Sequence, residues 1–160
     1  MKLVKGLPQH AKDVKSIHIA AYQKSYRGYI SDEYLDGLSL TEDVIERTSR
    51  HIEKTETYLV EHEEKFVSFM YLMNLEDKPD SFEIMAIYVH PDYQKGGVGC
   101  FMINEVCALK KKESYSKCIA WTMKNGPSLG FYKKMGFSHI PNMEKIWREN
   151  IPLILFEKSI

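Results

Sequence analysis

Residues 89–99 read VHPDYQKGGVG, and this stretch decides how the chain is interpreted. An apolar run, IMAIYV at residues 84–89, leads into it. Apolar side chains recur at helical spacing after it, at Val98, Phe101, Met102, Val106 and Leu109. The glycines at positions 96, 97 and 99 allow a sharp turn and leave backbone N–H groups uncovered. Because such groups at a helix N-terminus attract phosphates, the stretch predicts a buried strand, an anion-binding loop and an amphipathic helix.

Two common phosphate-binding loops do not fit this pattern. A Walker-type loop ends in Gly-Lys-Ser/Thr, whereas Gly99 is followed by Cys100. The dinucleotide fingerprint would need glycine or alanine at Met102, and its strand opens a βαβ unit, whereas this strand lies in mid-chain. The pattern that remains is Gln-x-x-Gly-x-Gly, at Gln94, Gly97 and Gly99. An ordinary glycine-rich turn is the alternative interpretation.

A second informative segment lies at residues 125–137, NGPSLGFYKKMGF, after a strand candidate at 118–123. Proline at an early helical position and glycine at the C-cap predict a short helix over 127–135. Gly130 lies inside this helix, where glycine costs about 1 kcal/mol relative to alanine.

The remaining pattern predicts alternating strands and helices, and hence a mixed α/β sheet. Helices are expected over 10–25, 41–53 with Thr41 as N-cap, 97–112 and 127–135, and residues 26–40 form a loop or short helix. Strands are expected over 57–61, 66–74, 81–89, 117–123, 137–141 and 152–158.

Together the two segments resemble the GNAT superfamily, the Gcn5-related N-acetyltransferases. The resemblance rests on Val-x-Pro at 89–91, on Gln-x-x-Gly-x-Gly at 94–99, and on Asn125 followed by Phe-Tyr-x-x-x-Gly-Phe at 131–137. It covers residues 56–158 by motif and residues 1–55 by general pattern. It implies one α/β domain over residues 1–160, with a mixed, mostly antiparallel central sheet flanked by helices.

The resemblance also implies acetyl-coenzyme A as cosubstrate and identifies the residues that would bind it. Main-chain groups of Ile87 and Val89, with Tyr88 between them, would lie along the pantetheine arm as an added strand would. Asn125 would hydrogen-bond the same arm, and Tyr132 would lie at the thioester. The loop residues expected at the pyrophosphate are Gln94, Lys95, Gly96, Gly97, Val98, Gly99 and Cys100.

Acetyl transfer to an amine needs an acid for the departing thiolate and a base for the amine. Tyr132 is the expected acid, since a phenol with a pKa of about 10 can protonate a thiolate. Glu83 is the expected base and substrate-binding residue, directly or through a water, although a solvent-facing strand glutamate is the alternative. His90 is interpreted as part of the turn.

The acceptor is less well defined by the sequence. Tyrosines between acidic residues over 22–36, notably Tyr26 and Tyr29, would suit a cationic amine such as a polyamine, or they cover the core of an ordinary surface. An alkyl amine of pKa about 10.4 costs about 4.6 kcal/mol to neutralise at pH 7, against about 1 kcal/mol for a protein α-amine. A protein α-amine or lysine acceptor, and a non-catalytic acyl-coenzyme A-binding regulator, are the alternatives. Trp121 and Trp147 are interpreted as packing residues.

Composition limits the other classes of function. Formal net charge is zero, from 22 basic and 22 acidic residues, which favours neither nucleic acid nor membrane as partner. Cysteines at 100, 107 and 118 lack CxxC spacing, so no metal site and a reducing, cytoplasmic location are expected. The apolar run LILF at 153–156 fits either a homodimer interface or an internal strand.

Overall fold

The computed structural model describes residues 1–148 and 150–160. The strands are β1 (Lys2–Lys5), β2 (Glu56–His62), β3 (Lys65–Asn74), β4 (Ser81–Val89), β5 (Lys117–Met123), β6 (Ser138–Trp147) and β7 (Ile151–Ser159). The helices are α1 (Ala11–Ser25), α2 (Asp32–Asp36), α3 (Glu42–Lys54), α4 (Val98–Lys112) and α5 (Leu129–Lys134), with short 3-10 turns at Pro8–His10 and Pro91–Tyr93.

The strands form a seven-stranded sheet in the order β1-β2-β3-β4-β5-β7-β6. Strands β4 and β5 pair in parallel, as expected for two strands joined by the helix α4. The pairs β1–β2, β5–β7 and β6–β7 are antiparallel. The mixed, mostly antiparallel α/β fold expected from the sequence is therefore confirmed.

Backbone contacts divide the chain into two compact units. The first unit comprises residues 1–71 and 86–102, and the second comprises residues 72–85 and 103–160.

The core of the first unit forms between α1, α3 and the strands β2 and β3. Apolar side chains at helical spacing on α1 pack against Ile52 of α3, Leu59 of β2 and Phe69 of β3. The Thr41 hydroxyl accepts a hydrogen bond from the Val44 N–H at 3.3 Å and caps α3, as predicted. Such a cap contributes about 1 kcal/mol.

The second unit is built on β5 and β7, which pair over their whole shared length from Lys117–Ser159 to Met123–Leu153. Buried Lys110 of α4, 2% exposed, reaches Glu113 at 2.9 Å, and its ammonium lies 4.9 Å from the Tyr115 ring centroid. Cys107 of α4 and Cys118 of β5 are both buried.

Three features differ from the sequence prediction. Strand β1 was not foreseen, and β6 extends to Trp147, well beyond the predicted 137–141, with a register shift between His139 and Glu144. Helix α5 begins at Leu129 rather than at 127, so the placement of Pro127 inside the helix was wrong. Pro127 lies instead in the turn before the N-cap residue, Ser128.

Candidate active site

The segment between β4 and α4, residues 90–97, is called the glycine loop below. It begins with a 3-10 turn in which the His90 Nδ1 accepts from the Asp92 N–H at 3.4 Å, so His90 has the turn role expected for it. The Gln94 side-chain amide donates to the Val89 carbonyl oxygen at 3.1 Å. Gln94 therefore connects the loop to the end of β4, and the Val89 carbonyl already has one hydrogen-bond donor.

Two residues of the glycine loop have left-handed backbone conformations, Lys95 with φ 64° and Gly97 with φ 82°. Glycine adopts this conformation without steric cost, whereas a side chain is strained there. A Cβ built on Gly97 would meet nothing within 4 Å, so the space before the loop is open. The helical ladder of α4 begins where the Phe101 N–H donates to the Gly97 carbonyl at 2.9 Å. The N–H groups of Val98, Gly99 and Cys100 precede that ladder and point out of the helix end.

The strand before the loop continues beyond its pairing with β5. That pairing covers Ser81–Ile84 of β4 and 117–120 of β5, whereas β4 runs on to Val89. The Tyr88 carbonyl accepts from the buried Ser68 hydroxyl at 2.8 Å. Ile87, Tyr88 and Val89, expected along the cosubstrate, thus lie on the continuing part of β4.

The tyrosines predicted near the acceptor fall into two settings. The Tyr26 ring lies 4.6 Å from Tyr22, and its hydroxyl lies 3.4 Å from the Tyr88 hydroxyl. Burial raises the pKa of Tyr88 well above its ordinary value, and the nearby Tyr26 and Tyr22 hydroxyls raise it further. The group formed by Tyr22, Tyr26 and Tyr88 therefore includes a phenol, that of Tyr88, which stays protonated. Tyr29 instead lies on the surface, 43% exposed.

Two of the acidic residues beside these tyrosines form ion pairs with an arginine. Arg27 binds Asp32 at 2.9 Å and Asp36 at 2.5 Å. The two carboxylates thus stabilise the loop after α1, which reduces the charge they offer a cationic acceptor.

Glu83, in the second unit, lies on β4 opposite Ile119 of β5 and is half-buried. Burial raises the pKa of its carboxyl, and the positive charge of Lys145 partly lowers it. A carboxylate with a raised pKa is a better proton acceptor than an exposed one.

Tyr132, also in the second unit, is 5% exposed. Its ring packs against Phe137 at 5.3 Å and Phe156 at 6.3 Å between centroids. Phe156 pairs with Ala120, whereas Glu83 pairs with the adjacent residue Ile119. Because successive strand residues point to opposite faces, Tyr132 and Glu83 lie on opposite faces of the sheet in this unit.

The start of α5 is held by a contact that sequence reasoning missed. The Thr122 and Ser128 hydroxyls lie 2.7 Å apart, which joins the end of β5 to the N-cap of α5. Asn125 lies exposed in the intervening turn. The missed contact joins residues six apart, and no motif marks it.

Two kinds of feature are absent from the described residues, 1–148 and 150–160. No cluster of three or more His, Cys, Asp or Glu side chains is arranged to hold a metal ion. Among the same residues, no helix has both the length and the apolar character needed to cross a bilayer.

Comparison with known proteins identifies the family to which the chain belongs. A model of the acetyltransferase (GNAT) family matches residues 13–137, which is most of the 160-residue chain. No similar protein was found among curated sequences.

Solved structures share the fold. PaiA N-acetyltransferase from Thermoplasma acidophilum, in complex with coenzyme A, has a TM-score of 0.77 and 16% identity over 99% of this chain and 98% of that chain. A GCN5-related N-acetyltransferase from Rhodopseudomonas palustris has a TM-score of 0.79 and 19% identity, over 99% of this chain and 95% of that chain. Ribosomal-protein-alanine N-acetyltransferase from Brucella melitensis has a TM-score of 0.73 and 16% identity, over 100% of both chains. The fold is thus shared at low identity, and the match over residues 13–137 shows that this protein belongs to the acetyltransferase (GNAT) family.

Proposed function

We propose that this protein is an acetyl-coenzyme A-dependent N-acetyltransferase that transfers the acetyl group directly to a primary amine in a ternary complex. The observation that carries the proposal is the glycine loop, with Gly97 at positive φ and the first N–H groups of α4 ahead of its helical ladder. Membership of an acetyltransferase family supports the same chemistry.

The residues of the glycine loop fit a pyrophosphate. The open space before Gly97 admits an anion, and the N–H groups of Val98, Gly99 and Cys100 donate toward it. The exposed Lys95 side chain adds positive charge, and Gly96 continues the row of backbone donors. Gln94 acts by holding the loop against β4.

Other main-chain groups and one side chain are proposed for the pantetheine arm. The N–H and C=O groups of Ile87 and the N–H of Val89 pair with the amides of the arm, alongside Tyr88. Asn125, in the exposed turn before α5, hydrogen-bonds the same arm through its side-chain amide.

Tyr132 is proposed as the general acid. When the amine nitrogen attacks the thioester carbonyl carbon, the C–N bond forms, the C–S bond breaks, and the Tyr132 hydroxyl gives its proton to the departing thiolate. Packing against Phe137 and Phe156 fixes the ring in one orientation, which favours proton transfer at a defined position.

Glu83 is proposed as the base, directly or through a water. Its half-buried position raises the pKa of the carboxyl and makes it a stronger proton acceptor.

A small-molecule primary amine is the acceptor proposed first, with Tyr26 and Tyr29 as further contacts. A polyamine is the example that the sequence suggested, although Arg27 already pairs with Asp32 and Asp36. A protein α-amine is the second candidate, favoured by its lower cost of deprotonation and by the name of the Brucella structure. A lysine side chain would carry the same cost as a small alkyl amine.

Calorimetric titration with acetyl-coenzyme A, with coenzyme A and ATP as controls, tests the cosubstrate. We expect micromolar or tighter binding of both coenzyme A species and much weaker binding of ATP. An absence of binding to folded protein would overturn the proposal.

Amine-dependent release of coenzyme A then separates an enzyme from a non-catalytic regulator. Polyamines, amino acids and N-terminal peptides form the first panel. Tight binding without turnover, together with no effect of Tyr132→Phe on any measured property, would favour the regulator.

A further inference from the structure

Three side chains of different chemistry share one face of the sheet in the second unit. Glu83 pairs with Ile119, and Trp121 follows two residues later on β5, so both point to the same side. Lys145 of β6 pairs with Leu153, which pairs in turn with Met123, two residues beyond Trp121. Glu83, Trp121 and Lys145, called the acceptor face below, therefore point in one direction.

Lys145 and Trp121 are in direct contact. The Lys145 ammonium lies 4.4 Å from the Trp121 ring centroid, within the range of a cation–π interaction. Lys145 is exposed on the edge strand, whereas Trp121 is half-buried. The contact fixes a positive charge beside an aromatic wall while leaving ammonium protons for a ligand.

Lys145 also acts on Glu83, since its charge lowers the pKa of that carboxyl against the effect of burial. The acceptor face thus carries one negative and one positive group beside an indole ring.

The other side chains of this face are not suited to bind the charged groups of a ligand. Its inner positions are apolar and buried, at Ile119, Met123, Leu153 and Leu155. The other carboxylate there, Glu157, forms an ion pair with Lys117 at 3.2 Å.

We propose that the acceptor face binds an amine that also carries a carboxylate, that is, a free amino acid or a similar zwitterion. The amine lies at Glu83, the carboxylate accepts hydrogen bonds from Lys145, and the apolar part packs on Trp121. This rests on the proposed acetyl transfer and narrows its acceptor. The ammonium of the zwitterion first gives one proton to solvent. The neutral amine then attacks the thioester carbonyl and loses its second proton toward Glu83, the C–N bond forms and the C–S bond breaks, and the thiolate takes the Tyr132 proton.

Charge complementarity favours an amino acid over a polyamine as the acceptor. A carboxylate beside the Lys145 ammonium gains charge-assisted hydrogen bonds. A second ammonium in the same place would face a like charge, which disfavours binding. Lys145 thus acts in specificity by attracting one class and repelling the other.

The test compares Lys145→Met with Lys112→Met, which removes the same charge from the end of α4. The substrates are the common L-amino acids, the corresponding amino-acid amides and spermidine. For each, kcat/KM for coenzyme A release and the Kd for protein loaded with coenzyme A are measured.

We expect wild type to prefer amino acids. Lys145→Met should lower kcat/KM for the preferred amino acid by about tenfold or more and for its amide by less than about twofold. For each substrate, kcat/KM of the variant is divided by kcat/KM of the wild type. The different basicities of the amino acid and its amide cancel in this ratio. Lys112→Met should change kcat/KM for the amino acid and for its amide equally, and only slightly.

Other outcomes overturn the inference. Equal effects of Lys145→Met on acid and amide, a preference for spermidine that the variant leaves unchanged, or no amino-acid binding and turnover at all would each do so. These results leave the proposed acetyl transfer standing if any amine releases coenzyme A. Failure of acetyl-coenzyme A to bind would overturn the proposed function itself.

Discussion

The proposed binding roles of the glycine loop and the acceptor face represent two different kinds of recognition. The loop offers backbone N–H groups of consecutive residues, held by glycine conformations and by the first turn of α4. The acceptor face offers side chains from β4, β5 and β6, which lie far apart in the sequence and meet through strand pairing.

The difference explains what each region specifies. Backbone N–H groups bind the phosphates of a common cosubstrate whatever the neighbouring side chains are. In the proposed acceptor site, side chains on neighbouring strands select the acceptor, and a single substitution there changes their charge. Changes in the loop should therefore act on cosubstrate affinity, and changes on the acceptor face on selectivity.

The largest effect is expected from Gly97→Val. A side chain at this position fills the open space before the loop and strains a backbone with φ 82°. We expect the Kd for acetyl-coenzyme A to rise at least about 100-fold, equivalent to about 2.7 kcal/mol. Calorimetry gives the Kd, and circular dichroism verifies that the protein remains folded.

Gly28→Val is the matched control for that change. Gly28 has φ 83° and also nothing within 4 Å of a built Cβ, so the backbone strain is the same. Each variant should lose about 1–2 kcal/mol of stability. Equal acetyl-coenzyme A affinity in both variants would contradict the assignment of the glycine loop.

Removal of the Tyr132 hydroxyl tests the acid separately from the loop. Tyr132→Phe keeps the ring packing on Phe137 and Phe156, so the fold and the cosubstrate affinity should change little. We expect kcat to fall at least about tenfold. Tyr115→Phe, whose ring packs on Phe82, is the control and should keep full turnover. Unchanged kcat in Tyr132→Phe would remove Tyr132 from its role.

A smaller loss is expected for Glu83→Gln, because water can carry part of the proton flow to solvent. We expect kcat at pH 7 to fall about tenfold. Burial raises the pKa of Glu83, so its contribution to stability is present at low pH and is lost as pH rises through the folded pKa. Since the ionised carboxyl opposes folding at pH 7, the melting temperature of the variant should stay equal or rise.

Glu157→Gln controls for a carboxylate on the same face. It breaks the ion pair with Lys117 and should cost at most about 1 kcal/mol of stability, with kcat unchanged. A lower melting temperature with full activity in Glu83→Gln would instead identify Glu83 as a structural residue.

The smallest effect expected is a pH shift in Lys145→Met. Lys145 lowers the pKa of Glu83, so its removal should move the acid limb of the kcat profile to higher pH. Lys112→Met should leave the limb in place. Movement to lower pH would show that another group controls the limb.

Sequence reasoning worked best where neighbouring residues determine the structure. Thr41 caps α3 through the N–H three residues on, and the glycine pattern at 96–99 lies beside the helix it begins. Both could be predicted because the interacting groups are close in the chain. The roles of Gly97, Tyr132 and Glu83 stay predictions.

Features that depend on distant pairing could not be predicted. Strand β1 has four residues and exists through pairing with β2, about 55 residues further on. The second half of β6 follows a positive φ at Asn142 and a register shift, which hide any alternation. The contact of Lys145 with Trp121 depends on the same pairing, so the sequence placed Trp121 only among the packing residues.

The three thiols give the protein a built-in set of accessibility probes. Cys100 is partly exposed in the first turn of α4, whereas Cys107 and Cys118 are buried, and burial raises the pKa of Cys118 so that its reactive thiolate is scarce. A thiol reagent should therefore label one site quickly and two slowly. The fast rate then reports occupancy of the loop, the slow rates report opening of the second unit, and neither measurement requires an engineered cysteine.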